Sequence, residues 1–189
     1  MIGNHNLILT AHPDDEVLWA GGLPIRYAEG AFFQIVCCSV PRRDPIRAWK
    51  FFDACYMLGA MPRILPFLET EVGSPLFGLE ALGDFPHFDC IITHGEEGEY
   101  GHSHHRSVHD YARSIQNGRK LITFSYAQKA EGTVSIVLNE EETNRKMAAL
   151  QCYNHSLLHN GIEMTKAAAL LDRYFVSQGR SFSVESYAS

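Results

Sequence analysis

Two short stretches of the sequence concentrate side chains that bind divalent metals. The first, His12-Pro13-Asp14-Asp15-Glu16, places one imidazole and three carboxylates directly after an apolar run that begins at Leu7. The second runs from His94 to His109 and contains five of the ten histidines. Oxygen and nitrogen donors of these types are the ligands that hard and borderline divalent cations prefer. We therefore expect the two stretches to form one metal site.

The spacing indicates which side chains of the first stretch can share an ion. His12 and Asp15 are three residues apart across a predicted strand-to-helix turn, so both can face one cation. Asp14 lies between them, points in a different direction, and is better placed to reach a water molecule. The alternative is that an aspartate only caps the helix, where a carboxylate favours the N-terminal dipole. That alternative explains one carboxylate but not the whole group.

One histidine of the second stretch would complete a site of two imidazoles and one carboxylate, a common arrangement in catalytic zinc centres. His102 and His105 share a face at the predicted start of a helix, and so do His105 and His109. Spacing alone does not decide which histidine is the ligand. For His104 and His109, a solvated polar helix face is the favoured interpretation.

An alternation of strands and helices is predicted to position these residues. Strands are predicted at 5–10, 32–39, 63–67, 88–93, 120–125, 133–138 and 181–187, the last as an edge strand, and helices at 15–29, 45–58, 75–82, 103–116, 140–153 and 162–174. This order predicts one α/β domain over residues 1–189, with a Rossmann-like, mostly parallel sheet and helices on both faces. Ligand sites in open α/β sheets lie at the carboxyl ends of strands, where both metal-binding stretches fall.

Composition limits the classes of partner. The formal net charge is -6, which disfavours a nucleic-acid partner. The sequence has no apolar run of about 18 residues for a membrane span, and no basic segment precedes the first apolar run. The five cysteines show no CxxC spacing, which is typical of a reducing compartment. We expect a cytoplasmic protein that acts on a small molecule, and a homo-oligomer is compatible with the sequence.

The two motifs resemble the signature sequences of the PIG-L/LmbE-like family of zinc-dependent N-acetyl sugar deacetylases. His12-Pro13-Asp14-Asp15-Glu16, followed by Gly21-Gly22, is similar to the first family motif, and the stretch from Ile92 to His105 is similar to the second. Weaker similarities around Arg47 and over residues 146–156 extend the resemblance to most of the chain. The resemblance implies a hydrolase that releases acetate and a free amine from an N-acetylglucosamine-type sugar conjugate, with one zinc ion per chain.

The resemblance also implies roles for the residues at the metal. His12, Asp15 and His105 would be the zinc ligands, and Asp14 would be the general base that takes a proton from water. His104 stands where the family commonly has aspartate or another polar residue, which makes it a rival of His105 as the third ligand.

Other matched residues would act on the substrate. Tyr100 and His102 would stabilise the oxyanion that develops at the amide carbonyl. Arg47 would contact the substrate, although Lys50 stands where many relatives have glutamate after this arginine. Glu99 is expected at the mouth of the cleft with the other glutamates of its loop. There it would bind sugar hydroxyls or the product amine, with a merely solvated loop as the alternative.

Two other classes of function are compatible with the same residues. One is a different metal-dependent hydrolase of the phosphoesterase type, although phosphoryl transfer usually recruits two metals or several basic side chains. The other is a non-catalytic α/β domain that binds a sugar or nucleotide. No glycine-rich phosphate-binding motif follows the first strand, which counts against a nucleotide-binding module.

Overall fold

The computed structural model describes residues 2–42, 44–71, 73–82, 85, 87–125, 133–159 and 162–188. Its strands are β1 His5–Thr10, β2 Phe32–Cys37, β3 Met61–Ile64, β4 Cys90–Thr93, β5 Lys120–Phe124, β6 Val134–Val137, β7 Ser156–His159, β8 Ile162–Thr165 and β9 Val184–Ala188. Its helices are α1 Asp15–Ala20, α2 Gly22–Arg26, α3 Pro45–Leu58, α4 Gly98–Gly101, α5 Ser103–Ser114, α6 Glu140–Gln151 and α7 Lys166–Leu171. A 3-10 turn spans Leu79–Leu82, and a π-helical turn, Asp172–Val176, continues α7.

The main sheet has seven strands in the order β3-β2-β1-β4-β5-β9-β6. The first five are parallel, whereas β9 runs antiparallel to both of its neighbours. Strands β7 and β8 form a separate antiparallel pair. The α/β prediction of a mostly parallel sheet is therefore confirmed.

Alternating side chains of the central strands feed two hydrophobic clusters, one on each face of the sheet. On β1, Ile8 packs in the cluster that contains Leu18 of α1 and Leu58 of α3. Its neighbours Leu7 and Leu9 point to the other face, into the cluster formed with α5. Both faces of the strand are apolar because both are covered by helices.

The predicted helix over 15–29 is broken into α1 and α2. Pro24 has no N–H to donate to the carbonyl of Ala20, which removes one bond of the helical ladder. The N–H of Gly22 is diverted to the Glu185 carboxylate, at 2.8 Å. The break follows from these two missing helical hydrogen bonds.

The C-terminal part differs most from the prediction. The expected helix over 162–174 starts with strand β8 and becomes helical only at Lys166. The dipeptide Asn160-Gly161 favours two-residue hairpin turns and was a signal in the sequence for the β7–β8 pair. These two residues lie outside the described part of the chain. The strand predicted as an edge, β9, lies between β5 and β6, and β6 is the edge. In the described part of the chain, no helix is both long and apolar enough to cross a membrane.

Candidate active site

The two stretches predicted to bind metal meet at the carboxyl ends of β1 and β4, which are neighbours in the sheet. After β1 the chain continues to β2 on one side, and after β4 it continues to β5 on the other. Open α/β sheets place their ligand sites where the strand order divides in this way. The Ala11 N–H, directly after β1, donates to His94 Nε2 at 3.0 Å, directly after β4. His94 thereby joins the two loops.

Asp14 occupies an unusual backbone position between β1 and α1. Its φ of 108° lies in the left-handed region, which costs free energy for a residue with a Cβ. The Glu16 carboxylate accepts the Asp14 N–H at 2.9 Å, and the Tyr153 hydroxyl donates to the same carboxylate at 2.5 Å. Burial raises the pKa of Glu16 to about 8. Glu16 therefore holds the turn in place, a role that its position in a first helical turn did not reveal.

His12, Asp15 and His105 form a buried cluster whose nitrogen and oxygen atoms lie within 4.8 Å of one another. The Asp15 Oδ2 atom is 3.3 Å from His12 Nδ1 and 3.5 Å from His105 Nε2. Burial alone would raise the pKa of Asp15. The neighbouring His105, His12 and His94 nevertheless hold that pKa well below its usual range. The cluster thus presents an ionised carboxylate between two imidazoles.

The His105 side chain is oriented as a metal ligand would be. Its Nδ1 atom lies 2.5 Å from a carboxylate oxygen of Glu99, which leaves the lone pair on Nε2. Among the described residues, that buried Nε2 atom has no hydrogen-bond partner. An unpaired buried nitrogen facing a carboxylate fits a divalent cation.

His104, the alternative third ligand, also lies in the site. Its Nδ1 atom is 2.8 Å from His12 Nε2, and its Nε2 atom is 2.7 Å from the Thr70 hydroxyl. It therefore belongs to a second possible metal-binding group, made with His12 and His102. His104 is only 1% exposed and His109 only 5%, so the interpretation of both as a solvated helix face is wrong.

The sequence suggested that Glu99 lies at the mouth of the cleft, but the structure places it elsewhere. Its side chain is fully buried, and its carboxylate accepts from the Gly95 N–H at 2.7 Å and contacts the Nδ1 atoms of His94 and His105. The preceding Gly98, with a φ of 66°, permits the tight turn that directs this carboxylate inward. Burial opposes ionisation, but the two histidines lower the pKa of Glu99 to about 2. Glu99 thus positions His105 and does not reach the pocket.

A pocket of about 420 Å³ opens beside the cluster. The residues predicted for the site that line it are His12, Asp14, Asp15, Arg47, Tyr100 and His102. The sequence did not single out Glu69, Lys166, Leu170, Arg173 and Tyr174, which also line it. A larger cavity, about 530 Å³, lies near the amino ends of β1 and β2, and none of the candidate metal-binding groups found among the described residues lines it.

The Asp14 carboxylate faces this pocket between two cations. Its Oδ2 atom is 3.5 Å from Arg47 Nε and 3.7 Å from Lys166 Nζ, and within the described residues it has no hydrogen-bond partner. Burial raises the pKa of Asp14, and the two cations oppose that rise. Arg47 also lies 3.6 Å from Glu69. This arrangement leaves one carboxylate oxygen available to a water molecule.

Tyr100 and His102 lie on the loop between β4 and α5. The Tyr100 hydroxyl is 3.2 Å from that of Tyr174, and burial raises the pKa of Tyr100, so the phenol keeps its proton. His102 Nδ1 accepts the His104 N–H, at 3.2 Å, and burial together with nearby His105 lowers the pKa of His102 to about 4. His102 is therefore a neutral ring with its proton on Nε2. Both residues can donate a hydrogen bond.

Comparisons with known proteins identify the fold. No protein-family model matches the chain, and no curated protein sequence matches it. Solved structures do match. A deacetylase of teicoplanin biosynthesis aligns over 97% of this chain and 96% of its own, with 16% identity and a TM-score of 0.67. The N,N'-diacetylchitobiose deacetylase of Pyrococcus horikoshii aligns over 79% of this chain and 69% of its own, with 15% identity and a TM-score of 0.60.

The same fold also carries a different reaction. The 4-carboxy-2-hydroxymuconate hydratase of Pseudomonas putida aligns over 98% of this chain and 95% of its own, with 16% identity and a TM-score of 0.67. At such low identities, structural similarity establishes a common fold, and the reaction has to be argued from the site. The chain thus has the fold of the PIG-L/LmbE-like deacetylases, as its two motifs predicted.

Proposed function

We propose that this protein is a metal-dependent hydrolase, acting as one domain, that removes the N-acetyl group from an N-acetylglucosamine-type sugar conjugate. The observation that carries the proposal is the buried His12, Asp15 and His105 cluster beside an Asp14 carboxylate, one oxygen of which has no hydrogen-bond partner among the described residues. The teicoplanin-pathway and chitobiose deacetylases, which share the fold, support this choice of reaction.

The cluster would hold zinc or another divalent cation through His12, Asp15 and His105. When bound, such a cation supplies Lewis-acid chemistry: it polarises an amide carbonyl and lowers the pKa of water. Glu99 fixes the ring of His105 through Nδ1, as carboxylates behind metal-binding histidines commonly do. His105 is favoured over His104 as the third ligand because, among the described residues, its Nε2 atom has no hydrogen-bond partner, whereas both ring nitrogens of His104 have one.

Asp14 would take a proton from the attacking water. Burial raises its pKa towards the range in which a carboxylate is an effective base, while Arg47 and Lys166 oppose that rise. The water oxygen forms a bond to the amide carbon as the proton moves to Asp14. That proton can then pass to the leaving nitrogen when the carbon–nitrogen bond breaks, which yields acetate and a free amine.

The negative charge on the carbonyl oxygen requires hydrogen-bond donors in the pocket. The Tyr100 hydroxyl and the protonated Nε2 of His102 would supply them. Removing one such donor typically lowers the rate by ~10²–10³. Arg47, on the same pocket wall, would contact the substrate.

The direct test is acetate release. Zinc-loaded protein is incubated with a panel of N-acetylglucosamine conjugates, and acetate and free amine are both quantified. We expect equimolar formation of the two products, and their loss in the metal-depleted protein. Metal-loaded protein that releases neither product from any conjugate would contradict the proposal.

Hydration of a carbon–carbon double bond is a second candidate. It is favoured by the Pseudomonas putida hydratase, whose TM-score and identity equal those of the teicoplanin-pathway deacetylase. The same carboxylate base could activate water for addition to a conjugated acid. Loss of the absorbance of 4-carboxy-2-hydroxymuconate, with no acetate released from the sugars, would favour this second reaction.

A further inference from the structure

One face of α7 and the turn that follows it forms a wall of the pocket. Lys166, Leu170, Arg173 and Tyr174 all line the pocket, and their spacing of four, seven and eight residues from Lys166 places them on one side of a helix. We refer to these four residues as the α7 wall. The Tyr174 hydroxyl, 3.2 Å from that of Tyr100, joins this wall to the loop that carries the proposed oxyanion donors.

Each carboxylate on the pocket lining already has basic partners. Asp14 lies between Arg47 and Lys166, and Glu69 lies 3.6 Å from Arg47 and 3.4 Å from His12. Asp15 is enclosed by the histidines of the cluster. No carboxylate of the lining therefore remains to attract a cationic ligand.

Arg173 differs from these carboxylates in its contacts with charged groups. Within the part of the chain that the structure describes, no carboxylate forms an ion pair with it, and its guanidinium lies 5.2 Å from the centre of the Tyr174 ring. The lining carries equal numbers of carboxylates and basic side chains: Asp14, Asp15 and Glu69 against Arg47, Lys166 and Arg173. A divalent cation in the cluster would leave the pocket positive.

We propose that the pocket selects substrates that carry an anionic group, a carboxylate or a phosphate, in addition to the N-acetyl amide, and that Arg173 binds this group. This inference rests on the proposed deacetylation and names its substrate class. The planar guanidinium can donate two parallel hydrogen bonds to either oxyanion. Leu170 and Tyr174 of the α7 wall offer apolar surface for the body of the substrate.

The test measures the affinity of zinc-loaded protein for three amine products, which cannot turn over. Glucosamine is neutral apart from its amine, glucosamine 6-phosphate adds a phosphate, and muramic acid adds a carboxylate. We expect calorimetry to show at least one acidic product bound about tenfold more tightly than glucosamine, as for one charge-assisted hydrogen-bonded contact. The preferred product identifies the anion. The preference should decrease as salt increases, because Arg173 is exposed.

Two variants separate Arg173 from a general charge effect. Arg173→Gln should abolish the preference for the acidic product and leave glucosamine affinity nearly unchanged. Arg113→Gln removes one positive charge from the exposed end of α5, away from the pocket, and should keep the preference. Lys166 is not used because it contacts Asp14. Equal affinity for all three products, no measurable binding of any, or equal losses in both variants would overturn the inference.

Acetate release from the matching N-acetyl sugars distinguishes the two proposals. Selective binding of an acidic product with no acetate released from any of the sugars would refute deacetylation and leave the anion subsite standing. Equal acetate release from neutral and acidic sugars, together with equal product binding, would refute the anion subsite and leave deacetylation standing.

Discussion

At the scale of single residues, Asp14 combines a strained backbone with a buried carboxylate oxygen that accepts no hydrogen bond from the part of the chain that the structure describes. Asn is well suited to replace it, since asparagine tolerates positive φ better than most residues and keeps the shape of the side chain. An amide cannot accept the water proton, however. The substitution therefore separates the role of a base from that of a ligand.

We predict that Asp14→Asn keeps near-normal zinc content and loses kcat by roughly 10²–10⁴, the range expected for general acid–base catalysis. KM for an N-acetylglucosamine conjugate should change little, because the lost interaction belongs to the transition state. Steady-state kinetics and elemental analysis measure the two effects. Loss of the metal would make Asp14 a ligand, and full turnover would exclude it as the base.

The choice between His105 and His104 is also a question about single atoms. His105 offers an Nε2 atom that is unpaired within the described ranges, with Glu99 behind its ring, whereas both nitrogens of His104 have partners. We predict that His105→Ala sharply lowers the metal content of the purified protein and that His104→Ala lowers it much less. Equal loss in both variants, or loss only in His104→Ala, would transfer the ligand role to His104.

At the scale of elements, the break between α1 and α2 brings helix backbone very close to β9. A Cβ atom on Gly22 would lie 2.8 Å from the Glu185 carboxylate and 2.8 Å from the Leu138 side chain. A Cβ atom on Gly30, in the turn before β2, would meet no described residue within 4 Å. Gly22 and Gly30 therefore serve as the test position and the control position for the same substitution by alanine.

We predict that Gly22→Ala lowers the free energy of unfolding by ~1–3 kcal/mol, the usual cost of overpacking a filled site. Gly30→Ala should have little effect or stabilise slightly, because it restricts the unfolded chain without creating a clash. Denaturant unfolding of both variants measures the difference. Equal stabilities would show that α2 can move away from β9 at no cost.

At the scale of the whole molecule, the C-terminal strand β9 is held from both sides. It pairs with β5 and β6, and its Glu185 carboxylate forms a buried ion pair with Lys146 of α6 at 2.6 Å. The same carboxylate accepts the Gly22 N–H of α2. One buried acidic group thus connects the last strand to two helices that lie far earlier in the chain.

We predict that Lys146→Met destabilises the protein by ~3–5 kcal/mol, because it leaves the Glu185 charge buried without its partner. The double variant Lys146→Met/Glu185→Gln should recover part of this loss, since the amide is uncharged and still accepts from Gly22. Equilibrium unfolding of both variants provides the measurement. A single variant as stable as the parent protein would show that the ion pair contributes nothing.

Local sequence determined a large part of this architecture. Helix α3 begins and ends at the predicted residues, because Pro45 suits a first turn and Gly59 adopts the positive φ, 82°, that ends a helix. The apolar run of β1 requires cover on both faces, and this requirement predicts a layered α/β fold. The two motifs placed His12, Asp14, Asp15 and His105 together because each motif directly follows a strand of the parallel sheet.

Tertiary structure alone decided the features that depend on contacts between distant residues. Glu99 was expected at the mouth of the cleft as a substrate contact, but glycine turns and two histidines direct it inward behind His105. Residues 181–187 were predicted as an edge strand, but β9 lies inside the sheet, where its Glu185 pairs with Lys146 in the interior. The α7 wall follows a hairpin that hydrophobic periodicity did not predict. The sequence therefore did not predict that the α7 wall lies close to Asp14. Local patterns record which face of an element is apolar, whereas partners many residues away determine where a buried charge can be satisfied.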